Sequence, residues 1–179
     1  MRTAARLRGV SLIEASIAMA IAAICLGAAA PSFRGLIEKQ RLDGAAAQLA
    51  SDLHFARAEA VARNTPLRLT LHQAAWGTCY VIHTGAAHDC RCQATGSAIC
   101  RGEADAVKTV QWPSDQGISV QSAVSSLLFD PLHGTSTPAG TLKVVAASGR
   151  AVHHVVNIMG RVRTCSPQGG AAVAGYRSC

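Results

Sequence analysis

The sequence has no GxSxG elbow, no HExxH helix, no P-loop and no paired catalytic carboxylates, so catalysis would rest on scattered Ser and His residues and no enzyme is expected. CxxC and CxxCH are absent as well, which removes the common zinc pairs and covalent haem attachment. His83, His88 and Asp89 do sit among four cysteines, but they lack the helical His spacing of zinc enzymes, and oxidation would compete for the thiols. His153 and His154 are adjacent, so on a strand they face opposite sides and cannot share an ion. No metal or cofactor is implied. Internal repeats and low-complexity tracts are missing too. Acidic side chains are few, ten against seventeen Lys and Arg, and none follows Asp130. The rest of the chain carries Lys143, Arg150, Arg161, Arg163 and Arg177 with His153 and His154, a one-signed end that attracts polyanions or an acidic protein.

Charge is absent altogether from Ala15 to Ala30, and Glu14 stands at the start of that stretch. A helix from Val10 to Ala30 would rise roughly 31 Å, matching a hydrocarbon core of about 30 Å. An ionised carboxylate there costs about 2.5–3.5 kcal/mol, which makes Glu14 a functional residue in need of a partner. Cleavage after Gly9 would supply one, the new amine of Val10. Met1 to Gly9 would then be a cytoplasmic leader, its Arg2, Arg6 and Arg8 unopposed by any acid. The competing reading is a secretory signal cut at the small residues Ala28 to Ala30, which leaves Glu14 unexplained.

After Pro31 the apolar residues Leu36, Ile37, Leu42, Ala45, Ala46, Leu49, Leu53, Ala56, Ala60 and Val61 recur at three and four, the period of an amphipathic helix. Arg41, Asp43, Gln48, Asp52, Arg57, Glu59 and Arg63 fall between them as the outer face. Pro31 is expected to kink the helix, and Asn64-Thr65-Pro66 to stop it. Short strands follow: Leu67 to His72, Cys79 to His83, Val107 to Trp112, Ile118 to Gln121, Leu127 to Phe129, Leu142 to Ala147 and Val152 to Met159, with Thr84 to Ala106 as one long loop. The expected fold class is α+β: a leader (1–9), an apolar helix (10–30), its amphipathic continuation (31–64) and an antiparallel β-rich domain (65–179).

Seven cysteines point to an oxidising compartment. Cys25 falls in the apolar helix, leaving six in the exported part. Cys165 and Cys179 flank a compact C-terminal loop whose closure would contribute roughly 3 kcal/mol. Cys79, Cys90, Cys92 and Cys100 allow three pairings. Neighbours Cys90 and Cys92 are not expected to join, so each should reach a different partner, and two options stay open.

Gly9-Val10-Ser11-Leu12-Ile13-Glu14 resembles the prepilin peptidase site of type IV pilins and pseudopilins, with Val10 in place of the usual Phe and Ala15 in place of the usual Leu. The resemblance implies cleavage between Gly9 and Val10, N-methylation of Val10, and filament assembly in which Glu14 neutralises a neighbour's terminal amine. It also implies a ladle-shaped subunit, held in the bacterial inner membrane by a single pass with its domain in the periplasm, and then incorporated into a pilus or pseudopilus beside other pilins.

Near the other end, Gly160-Arg161-Val162-Arg163-Thr164-Cys165 would, if extended, point Arg161 and Arg163 the same way, about 6.6 Å apart, with Val162 inward. A Cys165–Cys179 bond would bring in Arg177, and Tyr176 could stack on a base, worth about 1–3 kcal/mol. Surface arginines that merely solubilise a strand are the plainer alternative. The Gly-Arg-x-Arg motif before a cysteine pair is similar to that of FimT-like minor pilins of the FimT/GspH family, as is Asp52-Leu53 with Ala56 to Ala60. That resemblance implies DNA binding in natural transformation through Arg161, Arg163, Arg177 and Tyr176. A type II secretion pseudopilin or structural minor pilin, using the same arginines against another subunit, is the alternative.

Overall fold

The computed structural model describes residues 11–179, and the side chains of all of these except 28–32. The leader, Gly9 and Val10 therefore lie outside the described residues. One helix, α1 (Leu12–Arg63), precedes eleven strands: β1 (Leu67–Ala74), β2 (Gly77–His83), β3 (Cys90–Cys92), β4 (Ala98–Cys100), β5 (Ala106–Pro113), β6 (Ile118–Ser122), β7 (Ser126–Phe129), β8 (Ser136–Thr137), β9 (Gly140–Ala146), β10 (Ala151–Val156) and β11 (Val162–Cys165). The class is α+β. The described residues up to Ile37 form one unit and those from Glu38 a second.

In the first unit, the helix starts with Ser11, whose Oγ accepts the Glu14 amide at 3.3 Å. Ser11 and Glu14 thus have the spacing of a capping box, with the carboxylate at the favourable positive end of the helix dipole. Leu12, Ile13, Ile17, Met19, Ile21, Ile24 and Leu26 are all exposed. Among the described residues, no helix is long and apolar enough to cross a membrane. The expected 10–30 span includes Val10 and Ala28 to Ala30, whose side chains are outside that description.

The second unit is built around the later part of α1. Leu42, Ala45, Ala46, Leu49, Leu53, Ala56 and Ala60 are buried in one cluster with Leu69, Tyr80 and Phe129 from one sheet and Val120, Val144 and Val156 from another. This is the predicted face, but Leu36, Ile37 and Val61 are exposed. The helix ends in a Schellman turn: Asn64 has φ +51°, its N–H donates to Val61 O, and the Thr65 N–H donates to Ala60 O. Pro66 then prevents continuation.

The first sheet has the order β5-β2-β1-β7-β8 and the second β11-β10-β9-β6, with all pairings antiparallel. Two expectations need correction. The stretch Thr84 to Ala106 is not one loop, since β3 and β4 pair within it as a hairpin, Cys90 opposite Cys100. A strand to Met159 is too long: β10 stops at Val156 because Asn157 to Gly160 form a turn closed by the Gly160 N–H on Asn157 O at 2.9 Å. Cys79 bonds Cys92, and Cys90 bonds Cys100. The first links the hairpin to β2, so a segment with little core of its own is held covalently.

Candidate functional site

The Gly-Arg-Val-Arg motif lies at the outer edge of the second sheet, in the turn before β11 and on β11 itself. Gly160 ends that turn at φ +69°, where a Cβ would stand 2.2 Å from Gly134 O. Only glycine fits both the left-handed backbone and that approach. Gly134 O already accepts Arg57 Nε at 2.8 Å, and the Ser136 N–H donates to Ile158 O at 2.9 Å. The turn is thereby bonded to β8 and packs closely on the Gly134 carbonyl that Arg57 of α1 holds. Asn157 completes it, its Oδ1 accepting the Arg161 N–H at 2.9 Å.

From that fixed start the strand alternates as its pleat requires. Val162 packs on the core and Arg163 is exposed opposite Val155. Thr164 turns inward, its Oγ1 2.9 Å from His154 Nδ1. Burial pushes the His154 imidazole down to about 4, so it is neutral at pH 7 and adds no charge beneath the strand. Arg161 is exposed beside the strand's first residue.

Cys165 bonds Cys179, with 5.0 Å between their Cα atoms. The closing segment then runs along the same edge: the Ser166 N–H donates to Arg177 O at 2.8 Å and the Cys179 N–H to Ser166 O at 2.9 Å. Ser166 is buried and ties the loop inward, its hydroxyl donating to Ala151 O and accepting the Val173 N–H. Arg177 is exposed. Ser178 lies opposite Ser166 in a parallel bridge, so Arg177 falls one residue earlier, level with Cys165 and roughly 7 Å along the strand from Arg163. Tyr176 differs from the arginines. It packs partly buried on the core, and burial together with Asp43 raises its phenol pKa.

The cysteine-rich region holds no metal site among the described residues. His83 is buried, with Nε2 2.8 Å from Thr70 Oγ1 and Nδ1 2.7 Å from Thr84 O. Asp89 accepts the Ala86 N–H. Asn157, Gly134, Arg57 and the His154–Thr164 pair were invisible as parts of the motif, because the contacts that recruit Arg57 and Gly134 join positions 77 apart in the chain.

Residues 45–160 match the family model described as Type II transport protein GspH, and residues 5–30 match the prokaryotic N-terminal methylation motif. No curated protein matches the chain. Two crystal forms of the Pseudomonas aeruginosa type IV minor pilin FimU are similar in structure. One has a TM-score of 0.55 at 20% identity, covering 75% of this chain and 98% of the crystallised FimU chain. The other has a TM-score of 0.52 at 20% identity, covering 72% and 99%. At that identity the likeness shows the fold alone, while the family model spans well over half of the sequence. The chain belongs to the GspH family and is a minor type IV pilin or pseudopilin.

Proposed function

We propose that this subunit is anchored in the inner membrane by residues 10–30, cut by prepilin peptidase between Gly9 and Val10, and assembled into a pilus, where it binds extracellular DNA through Arg161, Arg163 and Arg177. The methylation motif and the exposed apolar stretch from Leu12 to Gly27 support the first half, since such a surface needs lipid or neighbouring helices. In the filament Glu14 would meet a neighbour's amine. Mass spectrometry of the purified protein should find an N-methylated Val10 terminus. A chain starting at Pro31 would overturn filament assembly in favour of a secretory signal.

The DNA half rests on one observation: three arginines are exposed along a sheet edge whose backbone is pinned at both ends, by the Gly160 turn and by the Cys165–Cys179 bond. A backbone so held presents the three guanidiniums from fixed Cα positions, so only their side-chain freedom is left to order on successive phosphates. Tyr176, partly buried, offers a base only its remaining exposed edge. If three phosphates are neutralised, log affinity of the full chain in detergent micelles for duplex DNA should fall with log salt at a slope of roughly −2.7. Replacing Arg161 and Arg163 by Ala should bring that slope to roughly −0.9. An unaltered slope and affinity would reject the assignment.

A second reading is favoured by Ile158 and Met159, both exposed immediately before the motif, with Leu132 exposed on the adjoining turn. Apolar side chains beside arginines suit a protein contact, as in a structural minor pilin or a type II secretion pseudopilin. Retained DNA affinity with lost capture of a neighbouring pilin in the same double variant would select it.

A further inference from the structure

The solvent-facing side of the second sheet continues from the arginine edge without meeting an acid. Along β11, β10, β9 and β6 the exposed or half-buried side chains opposite the core-facing rows include Arg163, His153, Val155, Thr141, Lys143 and Gln121, with the buried Cys165 and Ala151 on the same face. The register places them in order. His153 is opposite Cys165 on β11 and Lys143 on β9, Lys143 is opposite Gln121 on β6, and Arg163 is opposite Val155, one step along the same face from His153. Directly opposed side chains lie about 5 Å apart and diagonal ones about 7–8 Å. His153, Lys143 and Gln121 therefore form a direct cross-strand row, and Arg163 extends it diagonally onto β11.

The far half of that row is concave. A depression of about 630 Å³ is lined by Gln121, Ser122, Ala123, Thr141, Lys143 and His153. Lys143 is its only charged side chain and is exposed, whereas His153 is half-buried with Nδ1 3.7 Å from Cys179 Sγ. The groove thus meets the disulfide that holds Arg177 in place. Everything lining it that can hydrogen-bond from a side chain can donate, and nothing in it is anionic, which suits a ligand made of acceptors. A phosphodiester backbone is such a ligand.

We propose that the groove lined by Lys143, His153, Gln121 and Thr141 is a second phosphate-binding subsite, continuous with the arginine edge, so that a nucleic-acid backbone crosses the sheet from Arg177 and Arg163 toward β6. This rests on the DNA reading above and adds residues and a direction to it. Lys143 supplies a charge. His153 supplies a hydrogen bond rather than a charge, because burial and the Lys143 ammonium lower its pKa and keep it neutral.

The two roles are separable by salt dependence. With Lys143 as a fourth contact the slope for the full chain in detergent micelles, titrated with a duplex between 50 and 200 mM salt, becomes roughly −3.6 in place of the roughly −2.7 of the arginines alone; Lys143→Gln should return it to about −2.7, and Lys143→Arg should leave it unchanged. His153→Gln should weaken binding several-fold at every salt concentration without altering the slope. Both positions face solvent, and circular dichroism identical to the parent confirms that the fold is kept. If Lys143→Gln leaves slope and affinity unchanged while the Arg161/Arg163 double substitution flattens the slope, the groove is not part of the footprint and the arginine edge stands alone. If neither changes anything, the nucleic-acid reading fails and the groove proposal falls with it.

Discussion

Gly160→Ala should destabilise the globular unit by roughly 3–5 kcal/mol and weaken DNA binding even though no charge is removed. The left-handed backbone at φ +69° costs an L-residue about 1–2 kcal/mol. The added methyl would also stand 2.2 Å from Gly134 O and 3.0 Å from Arg57 Nε, so one of these must give way. Gly134 has little freedom: its N–H donates to Asp130 O at 2.9 Å, and Ser136 two residues on is bonded to Ile158. Displacing it breaks the Arg57 hydrogen bond, a contact to a charged group worth about 1.5–3 kcal/mol. At about 2–4 °C per kcal/mol for a domain of this size, the thermal midpoint should drop by roughly 10 °C. Differential scanning calorimetry reads this directly, and a shift below about 2 °C would show that the turn is not held as described. The functional consequence follows from the same geometry, since Arg161 is positioned by Asn157 in that turn. At a temperature where the variant is folded, its salt slope should be less negative than the parent's by up to one phosphate, about 0.9.

How much of this could be read from the sequence depends on the range of the interaction. The buried helix face from Leu42 to Ala60 follows from a 3.6-residue period, and the helix stop at Asn64 from its proline neighbour two residues on, so both are legible locally. The same holds for the alternation of Val162 and Arg163. The β3–β4 hairpin was not legible, because its six residues are cysteines, an arginine and small or exposed apolar side chains with no strand-like alternation. Its order comes from two disulfides that composition leaves open. Asp52 is the clearest misassignment. Its charge puts it on the outer face, yet it is 1% exposed. Nothing within a helical turn except Gln48 hints at this, since Tyr80 and Lys108 reach it from separate strands. In the motif, likewise, the arginines were visible and the groove beside them was not, for Lys143 and His153 join the row only through strand register.

Asp52→Ala should cost about 3–4 kcal/mol, while Asp52→Asn should cost only about 1–2. The carboxylate is buried on α1 and accepts from three directions: Tyr80 Oη at 2.5 Å and Gln48 Nε2 at 3.0 Å on Oδ2, and Lys108 Nζ at 2.7 Å on Oδ1. It ties the helix to β2 and β5 of the first sheet. Removing one partner of a buried charged network costs about 3–5 kcal/mol, because the remaining groups are left without bonds. The lower part of that range applies here, since the Lys108 side chain is 39% exposed and can return to water. Tyr80 cannot. Burial and the neighbouring Asp52 raise its phenol pKa well above the ordinary value, so it remains a proton donor at any working pH and needs an acceptor. Asparagine retains one oxygen for Tyr80 and Gln48 but sets its NH2 against the Lys108 ammonium, and because Lys108 is exposed enough to turn to water, the figure stays smaller. Tyr80 also packs against Trp112, ring centroids 5.4 Å apart, so near-ultraviolet circular dichroism during urea unfolding reports on this corner of the core. Equal losses for the two variants, or a loss below about 1 kcal/mol for alanine, would mean that the carboxylate does not organise the helix–sheet contact. The arginine edge sits on the other sheet, so folded Asp52→Ala protein should keep the parent's salt slope for DNA. That separates it from Gly160→Ala, where stability and binding should fall together.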